Sequence, residues 1–138
     1  MPAALTERAW TATLLERQHL TQRVDEDVIE VLDRCVGLQS QDPQAAFFGL
    51  AARVEGFDPS DLDGLMVDRT VVRMALLRST VFLMDGEDAR WVRALAEPAL
   101  AAELRIHARR LVTATTEAIT AAARELLSAR SLPVKELG

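Results

Sequence analysis

Two Asp-Pro pairs constrain the fold of this chain more than any other feature of its sequence. Asp42-Pro43 and Asp58-Pro59 each place an aspartate where it can cap a helix and a proline at the first helical position. Gly37 and Gly56 precede these pairs and are typical of helix ends. The pattern therefore predicts short, separately capped helices joined by tight links.

After these helices the hydrophobic period changes from that of a helix to that of a strand. Residues 70–77 and 80–84 are rich in Val, Leu and Met and predict two short strands, with Arg78-Ser79 as the turn. The expected fold class is mainly α with a small β-hairpin (α+β), a winged helix-turn-helix followed by further helices. The predicted helices cover about residues 6–18, 28–36, 43–53, 59–66, 87–96, 98–111 and 114–129.

These elements predict three segments along the 138 residues. Residues 1–85 form a winged-helix module and residues 86–130 a helical segment. Residues 131–138 look like the first turn of a further module that the sequence cuts short, so we expect a truncated chain that is inactive alone. We also expect Trp10, Trp91 and Cys35 to lie in the core, because each falls on an apolar helix stripe.

The charge of the chain limits which partners it can bind. The net charge of −5 argues against a protein held to polyanions by bulk charge, although local clusters still decide groove contacts. All but one of the 16 basic residues are arginine, which indicates a GC-rich bacterial genome and suits bidentate phosphate binding. The lone cysteine, and His19 and His107 far apart, predict no metal site and no cofactor. No signal or membrane segment is present, so a cytoplasmic, nucleoid-associated protein is expected.

Four short motifs occur together and in order between about residues 14 and 95. Their combination resembles the winged-helix DNA glycosylases of the AlkZ-like and YcaQ-like family, which release alkylated bases and unhook interstrand crosslinks. The family has several winged-helix modules, of which this chain holds one complete copy. The motifs are Arg17-Gln18-His19-Leu20, Gln39 to Pro43, Arg53 to Phe57 and Arg78 to Thr80.

The resemblance implies that Gln39 and Gln41 occupy the catalytic positions. A Gln-x-Gln pair is typical of the AlkZ-like branch, whereas Gln-x-Asp marks the YcaQ-like branch. The chain departs from many relatives at Phe82, where they carry a histidine, and this departure bears on whether the site is active. The implied partner is double-stranded DNA that is alkylated or crosslinked, with no membrane and no metal.

The chemistry fits two amides. An N-alkylated purine is already a cationic leaving group, so a glycosylase mainly needs a positioned water and stabilisation of the developing oxocarbenium charge. Residues i and i+2 of an extended segment face one side, so Gln39 and Gln41 can address one nucleotide while Ser40 turns away. From spacing alone the glutamines could equally be exposed linker residues or helix-end hydrogen-bonding groups, and reading of an adenine is a third interpretation.

Five further residues are candidates for DNA contact. Arg73, Arg78 and Thr80 belong to the predicted hairpin, the wing of a winged helix, which commonly meets the DNA backbone or minor groove. Arg73 could instead form a structural ion pair with Asp68 or Glu55. Arg105 and Arg109 are four apart on one helix face and form either a phosphate-facing patch or a solvated surface.

Three hypotheses follow from the sequence. The first is a DNA glycosylase, or its N-terminal piece, acting on N-alkylated purines. The second is a winged-helix protein that binds DNA without catalysis. The third is a fragment whose only property is its fold.

Overall fold

The computed structural model describes residues 6–109 and 113–137. Within these ranges the chain forms six α-helices and one three-stranded antiparallel sheet, so the predicted fold class, mainly α with a small β part, is confirmed. The elements in chain order are α1 Glu7–Arg17, α2 Val28–Cys35, β1 Leu38–Gln39, α3 Pro43–Ala51, α4 Pro59–Val67, β2 Val71–Ala75, β3 Val81–Asp85, α5 Gly86–Ala108 and α6 Thr116–Ala129, with short 3₁₀ turns at Leu77–Ser79 and Val134–Glu136.

The helices of the first half begin at the predicted caps. The Asp42 side chain accepts from the Gln44 N–H at 2.9 Å, and the Asp58 side chain accepts from the Ser60 N–H at 2.8 Å. α2 begins with a reciprocal capping box, in which the side chains of Asp27 and Glu30 each accept from the other residue's backbone N–H. Local side-chain chemistry thus sets where α2, α3 and α4 start.

β3 is the central strand of the sheet, with β1 on one side and β2 on the other. β2 and β3 form the predicted hairpin, with Val71 opposite Asp85 and Ala75 opposite Val81. β1 was not predicted, because two residues are too few to show a strand period. It places Gln39 opposite Phe82, and so joins the glutamine segment to the hairpin.

The two faces of β3 belong to two separate core clusters. Leu83 packs with α2, α3 and α4 on one face, in the cluster that contains Leu32, Leu50 and Leu62. The neighbouring residues Phe82 and Met84 point to the other face, where they pack with Leu76 and the first turns of α5. The small sheet therefore has helices on both faces, and its edges and its turn are left for other contacts.

Three sequence predictions about packing and helix ends need revision. The predicted break at Glu97-Pro98 is wrong, because α5 continues through Pro98. Proline removes one backbone N–H, and at an exposed position water satisfies the carbonyl that loses its partner. Trp10 and Trp91 are also not core residues, since 54% and 52% of their surfaces are exposed. Trp91 directs its indole N–H to the Asp88 carboxylate at 2.8 Å, and Cys35 is half-buried against the core.

Two compact units can be distinguished, residues 1–100 and residues 101–138. The first contains the sheet and both core clusters. In the described part of the second, no residue is fully buried. None of the helices in the described ranges combines the length and the apolar composition needed to cross a membrane.

Candidate active site

The link between α2 and α3 begins at a glycine that packs directly on the sheet. Gly37 has φ +78°, and a Cβ there would lie 2.8 Å from the Leu83 carbonyl oxygen and 2.9 Å from Cε of Met84. Only glycine adopts this conformation in so little space without strain. The close approach lets the chain leave α2 and pair with β3 at the very next residue, Leu38.

Burial alternates along this link. Leu38 and Ser40 are buried, whereas Gln39 and Gln41 are exposed. The alternation is that of an extended segment, so the two glutamines share its outer side and Ser40 turns inward. Both glutamines lie in a non-helical link between two helices, as Gly37 and Asp42-Pro43 predicted.

The side chain of Gln41 is held against the hairpin. Its Oε1 accepts from the Val81 backbone N–H at 3.1 Å, and the neighbouring Ser40 N–H donates to the Val81 carbonyl at 2.8 Å. A backbone N–H can only donate, so the bonded atom is the amide oxygen and the orientation of the amide is determined. The Gln41 amide therefore keeps one acceptor site on Oε1 and both N–H donors for other partners.

Gln39 differs from Gln41 in having an uncommitted side chain. Its amide makes no hydrogen bond with any residue in the described ranges. Directly opposed residues of an antiparallel pair project to the same face, so Gln39 stands beside Phe82. The phenyl ring of Phe82 is 9% exposed and belongs to the core cluster that includes Met84.

Arg73 holds the backbone of the same link from the other side. From the middle of β2 its Nε donates to the Ser40 carbonyl at 2.9 Å and to Ser40 Oγ at 3.1 Å, and its Nη2 donates to the Gln41 carbonyl at 3.1 Å. In the described ranges it forms no ion pair with Asp68 or Glu55, so that interpretation is wrong. Arg73 fixes the link with a rigid fork of donors, and the sequence alone did not indicate this contact.

The turn of the hairpin presents a free arginine. Arg78 has φ 53° and Ser79 has φ 58°, so the turn passes through the left-handed region at two successive residues. Arg78 is exposed and makes no hydrogen bond or ion pair within the described part of the chain. The Thr80 hydroxyl donates to the Leu77 carbonyl at 3.1 Å and so belongs to the turn itself.

The remaining candidates lie outside this group. Arg105 and Arg109 are exposed in the unit of residues 101–138, and their contact with DNA stays a prediction. His107 approaches Glu103 at 3.0 Å, and the buried Nε2 of His19 has no hydrogen-bond partner but lies 3.6 Å from a Glu26 oxygen. Over residues 6–109 and 113–137, no three or more His, Cys, Asp or Glu side chains are grouped so that they could hold a metal ion.

Fold and site together define a mainly helical protein whose small sheet displays a fixed pair of amides beside an exposed arginine turn. A model of the family described as DNA glycosylase AlkZ-like matches residues 32–138, which include β1, both glutamines and the whole hairpin. The chain belongs to the AlkZ-like DNA glycosylase family, as the sequence motifs indicated. A search of curated proteins and a search of solved structures gave no match. DNA is therefore its partner and DNA repair its field of action.

Proposed function

We propose that this protein hydrolyses the N-glycosidic bond of N-alkylated purines in double-stranded DNA, with Gln39 and Gln41 at the reaction centre. The observation that carries the proposal is the anchored amide of Gln41. Val81 and Arg73 hold this residue on both its side chain and its backbone, and the free amide of Gln39 lies on the same side of the link.

The reaction needs little acid catalysis. Alkylation at a purine ring nitrogen makes the base cationic, so it departs with the electron pair of the glycosidic bond and becomes neutral. Water then adds its oxygen to C1′ of the sugar and releases a proton to solvent. The site must position this water and stabilise the positive charge that develops on the sugar.

The two glutamines suit different parts of this task. Gln39 can accept a hydrogen bond from the attacking water through its free amide oxygen. Gln41 offers fixed amide dipoles that need no reorganisation when charge develops, which is the condition under which such groups contribute most to a rate. An amide is a poor base, and this suffices because the leaving group is already activated.

The same chemistry extends to interstrand crosslinks formed by bifunctional alkylating agents. Each half of such a crosslink is an N-alkylated purine, so hydrolysis of one glycosidic bond releases that strand from the lesion. We include crosslink unhooking in the proposed substrate range on this ground.

The test is base release from a defined duplex. The protein encoded by the complete reading frame that contains these residues is incubated in excess with a duplex holding one N7-methylguanine, and with the same duplex holding guanine. Alkali-labile abasic sites should form only at the methylated base. If the protein binds both duplexes and forms no abasic site, the proposal fails.

One observation favours a second function, DNA binding without catalysis. Phe82 stands where many relatives carry a histidine, and its ring is committed to the core beside Gln39. If the reaction depends on that histidine, the module retains only the binding surface. Replacing Phe82 with histidine and repeating the release assay distinguishes the two functions, because only a binding protein would gain activity from no measurable background.

A further inference from the structure

The exposed side of α4 carries carboxylates and no cation. Between Asp58 and Asp68 the sequence contains no Lys or Arg, and Arg69 comes only after the helix has ended. In a helix-turn-helix module, this second helix is the one placed in the major groove of DNA. Placed there, these carboxylates would face a high density of phosphate charge without a counter-ion. The exposed residues from the N-cap through the C-cap are Asp58, Pro59, Ser60, Asp61, Asp63, Gly64, Val67 and Asp68.

The acidic surface continues from α4 to the start of α2. A cleft of about 540 Å³ lies between these elements, with an apolar floor that includes Val28 and Phe57. Asp61 connects this cleft to the exposed side of α4. The carboxylates that line it are Asp25, Glu26, Asp27, Glu55 and Asp61.

A second group of carboxylates crowds the end of the sheet at which β2 starts. Asp85 ends β3 there, opposite Val71. The pKa of Asp33 is raised by burial and then by the nearby charges of Asp88, Asp85 and Asp27, which shows that these groups repel one another. α4 runs into β2 at this same end. At about 3.3 Å per residue, the strands of the hairpin keep this end roughly 13 Å from the turn.

The opposite end of the hairpin has a different character. Arg78 projects from the turn without a partner in the described part of the chain, and Val81, just beyond it, holds Gln41. The carboxylate next to the glutamine segment is Asp42, which is occupied in capping α3. The cation and the amides of the candidate site are thus together at the end of the sheet that is remote from the acidic group.

We infer that DNA meets this module at the hairpin turn and along the glutamine segment, and that α4 faces away from the DNA instead of entering the major groove. The inference rests on the proposed function for its substrate and adds how that substrate docks. The turn then supplies the phosphate contact that fixes register, and the glutamines reach the nucleotide beside it.

Tethered cleavage tests this orientation directly. In a Cys35→Ser background, a cysteine is introduced either at Gly64, where an added Cβ meets no atom within 4 Å, or at Ser79 in the turn. Each protein carries an iron–EDTA group on that cysteine, and hydroxyl-radical cleavage of bound duplex is mapped. Thermal unfolding confirms that both labelled proteins are folded. We expect cleavage from position 79 and none from position 64.

The outcomes separate this inference from the proposed function. Cleavage from position 64, or from neither position, overturns the docking inference whether or not the protein releases bases. Cleavage from position 79 without release of N7-methylguanine supports the inference and removes the enzymatic proposal.

A charge variant provides an independent measurement. If α4 faces away, screening at physiological salt should keep the effect of Asp61→Asn with Asp63→Asn on DNA affinity below about twofold. If α4 lies in the groove, removing two carboxylates from the phosphates should tighten binding by about tenfold or more. A change of that size overturns the inference.

Discussion

Gln39 and Gln41 share a surface but differ in what already binds them. The amide oxygen of Gln41 accepts from the Val81 N–H, while the amide of Gln39 is free within the described residues. An anchored amide contributes a fixed dipole, and a free one can follow a ligand or a water. This difference assigns the electrostatic part of the proposed reaction to Gln41 and the water contact to Gln39.

Arg73 should act on the reaction by positioning the link. In Arg73→Gln the donor fork to Ser40 and Gln41 is lost, so we expect the single-turnover rate of base release to fall while DNA affinity changes little. Arg73→Lys should recover only part of the rate, because an ammonium lacks the planar fork. Hydrogen exchange at the Val81 amide should quicken in Arg73→Gln, which reports the positioning role without an activity assay.

The opposite pattern would identify Arg73 as a phosphate contact. Binding would weaken and its salt dependence would flatten, while the rate in the bound complex and the exchange of Val81 would stay unchanged.

Asp33 should destabilise the folded protein at neutral pH. Its pKa is raised in the folded state by burial and by Asp88, Asp85 and Asp27, so the folded protein binds a proton there more readily than the unfolded chain does. By linkage, the penalty is full above the raised folded-state pKa and disappears as pH falls below the model value of 3.8.

We therefore expect Asp33→Asn to raise the melting temperature at pH 7, with a gain that shrinks as the pH is lowered towards that value. Asp63→Asn, at an exposed position on α4, is the control and should change the melting temperature little. An equal gain at all pH values would show that ionisation of Asp33 is not the cause.

At the scale of elements, the packing of Gly37 on β3 connects helix α2 to the candidate site. Gly37→Ala must hold a Cβ at positive φ and within 3 Å of both Leu83 and Met84, so it should cost about 2 kcal/mol or more of unfolding free energy. Gly64→Ala is the matched control, because its Cβ enters open space within a helix and should stabilise by about 1 kcal/mol. Chemical denaturation of both variants measures the difference, and effects of equal sign would contradict this account of the link.

The elements that the sequence predicted well are those with local signals. The caps at Asp42 and Asp58 bond to backbone groups two residues away, so α3 and α4 could be placed from the sequence. The position of the glutamine link followed from the same signals. β1 has too few residues to show a period, and the continuity of α5 through Pro98 depends on exposure that the sequence does not state.

Contacts between distant residues could not be predicted. Arg73 reaches Ser40 across 33 positions of sequence, and Gln41 meets Val81 across 40. Either arginine interpretation, DNA contact or ion pair, was consistent with the residue alone, because the deciding partner is a backbone carbonyl. Trp10 and Trp91 lie on apolar stripes that the structure leaves exposed, so periodicity gave their helix and not their burial.

At the scale of the whole molecule, the net charge of −5 should keep DNA binding weak. We expect these 138 residues to bind duplex DNA at physiological salt with a dissociation constant of about 10⁻⁴–10⁻⁶ M, the non-specific range. Arg78→Ala should weaken binding further and reduce the slope of log affinity against log salt by about 0.9, the value for one phosphate contact. Arg90→Ala, an exposed arginine on α5, is the control. Nanomolar affinity, or equal effects of both variants, would contradict this distribution of contacts.

The central claim is that the two glutamines act on the transition state of glycosidic hydrolysis. The most direct measurement compares wild type, Gln39→Ala and Gln41→Ala in the complete gene product, by single-turnover release of N7-methylguanine together with the dissociation constant of each protein for the same duplex. We predict that both variants, and Gln41→Ala most of all, lose release rate far more than they lose affinity, because the amides stabilise charge that forms only in the transition state. Release by Gln41→Ala at the wild-type rate, or a loss of rate matched by an equal loss of affinity, would contradict the claim.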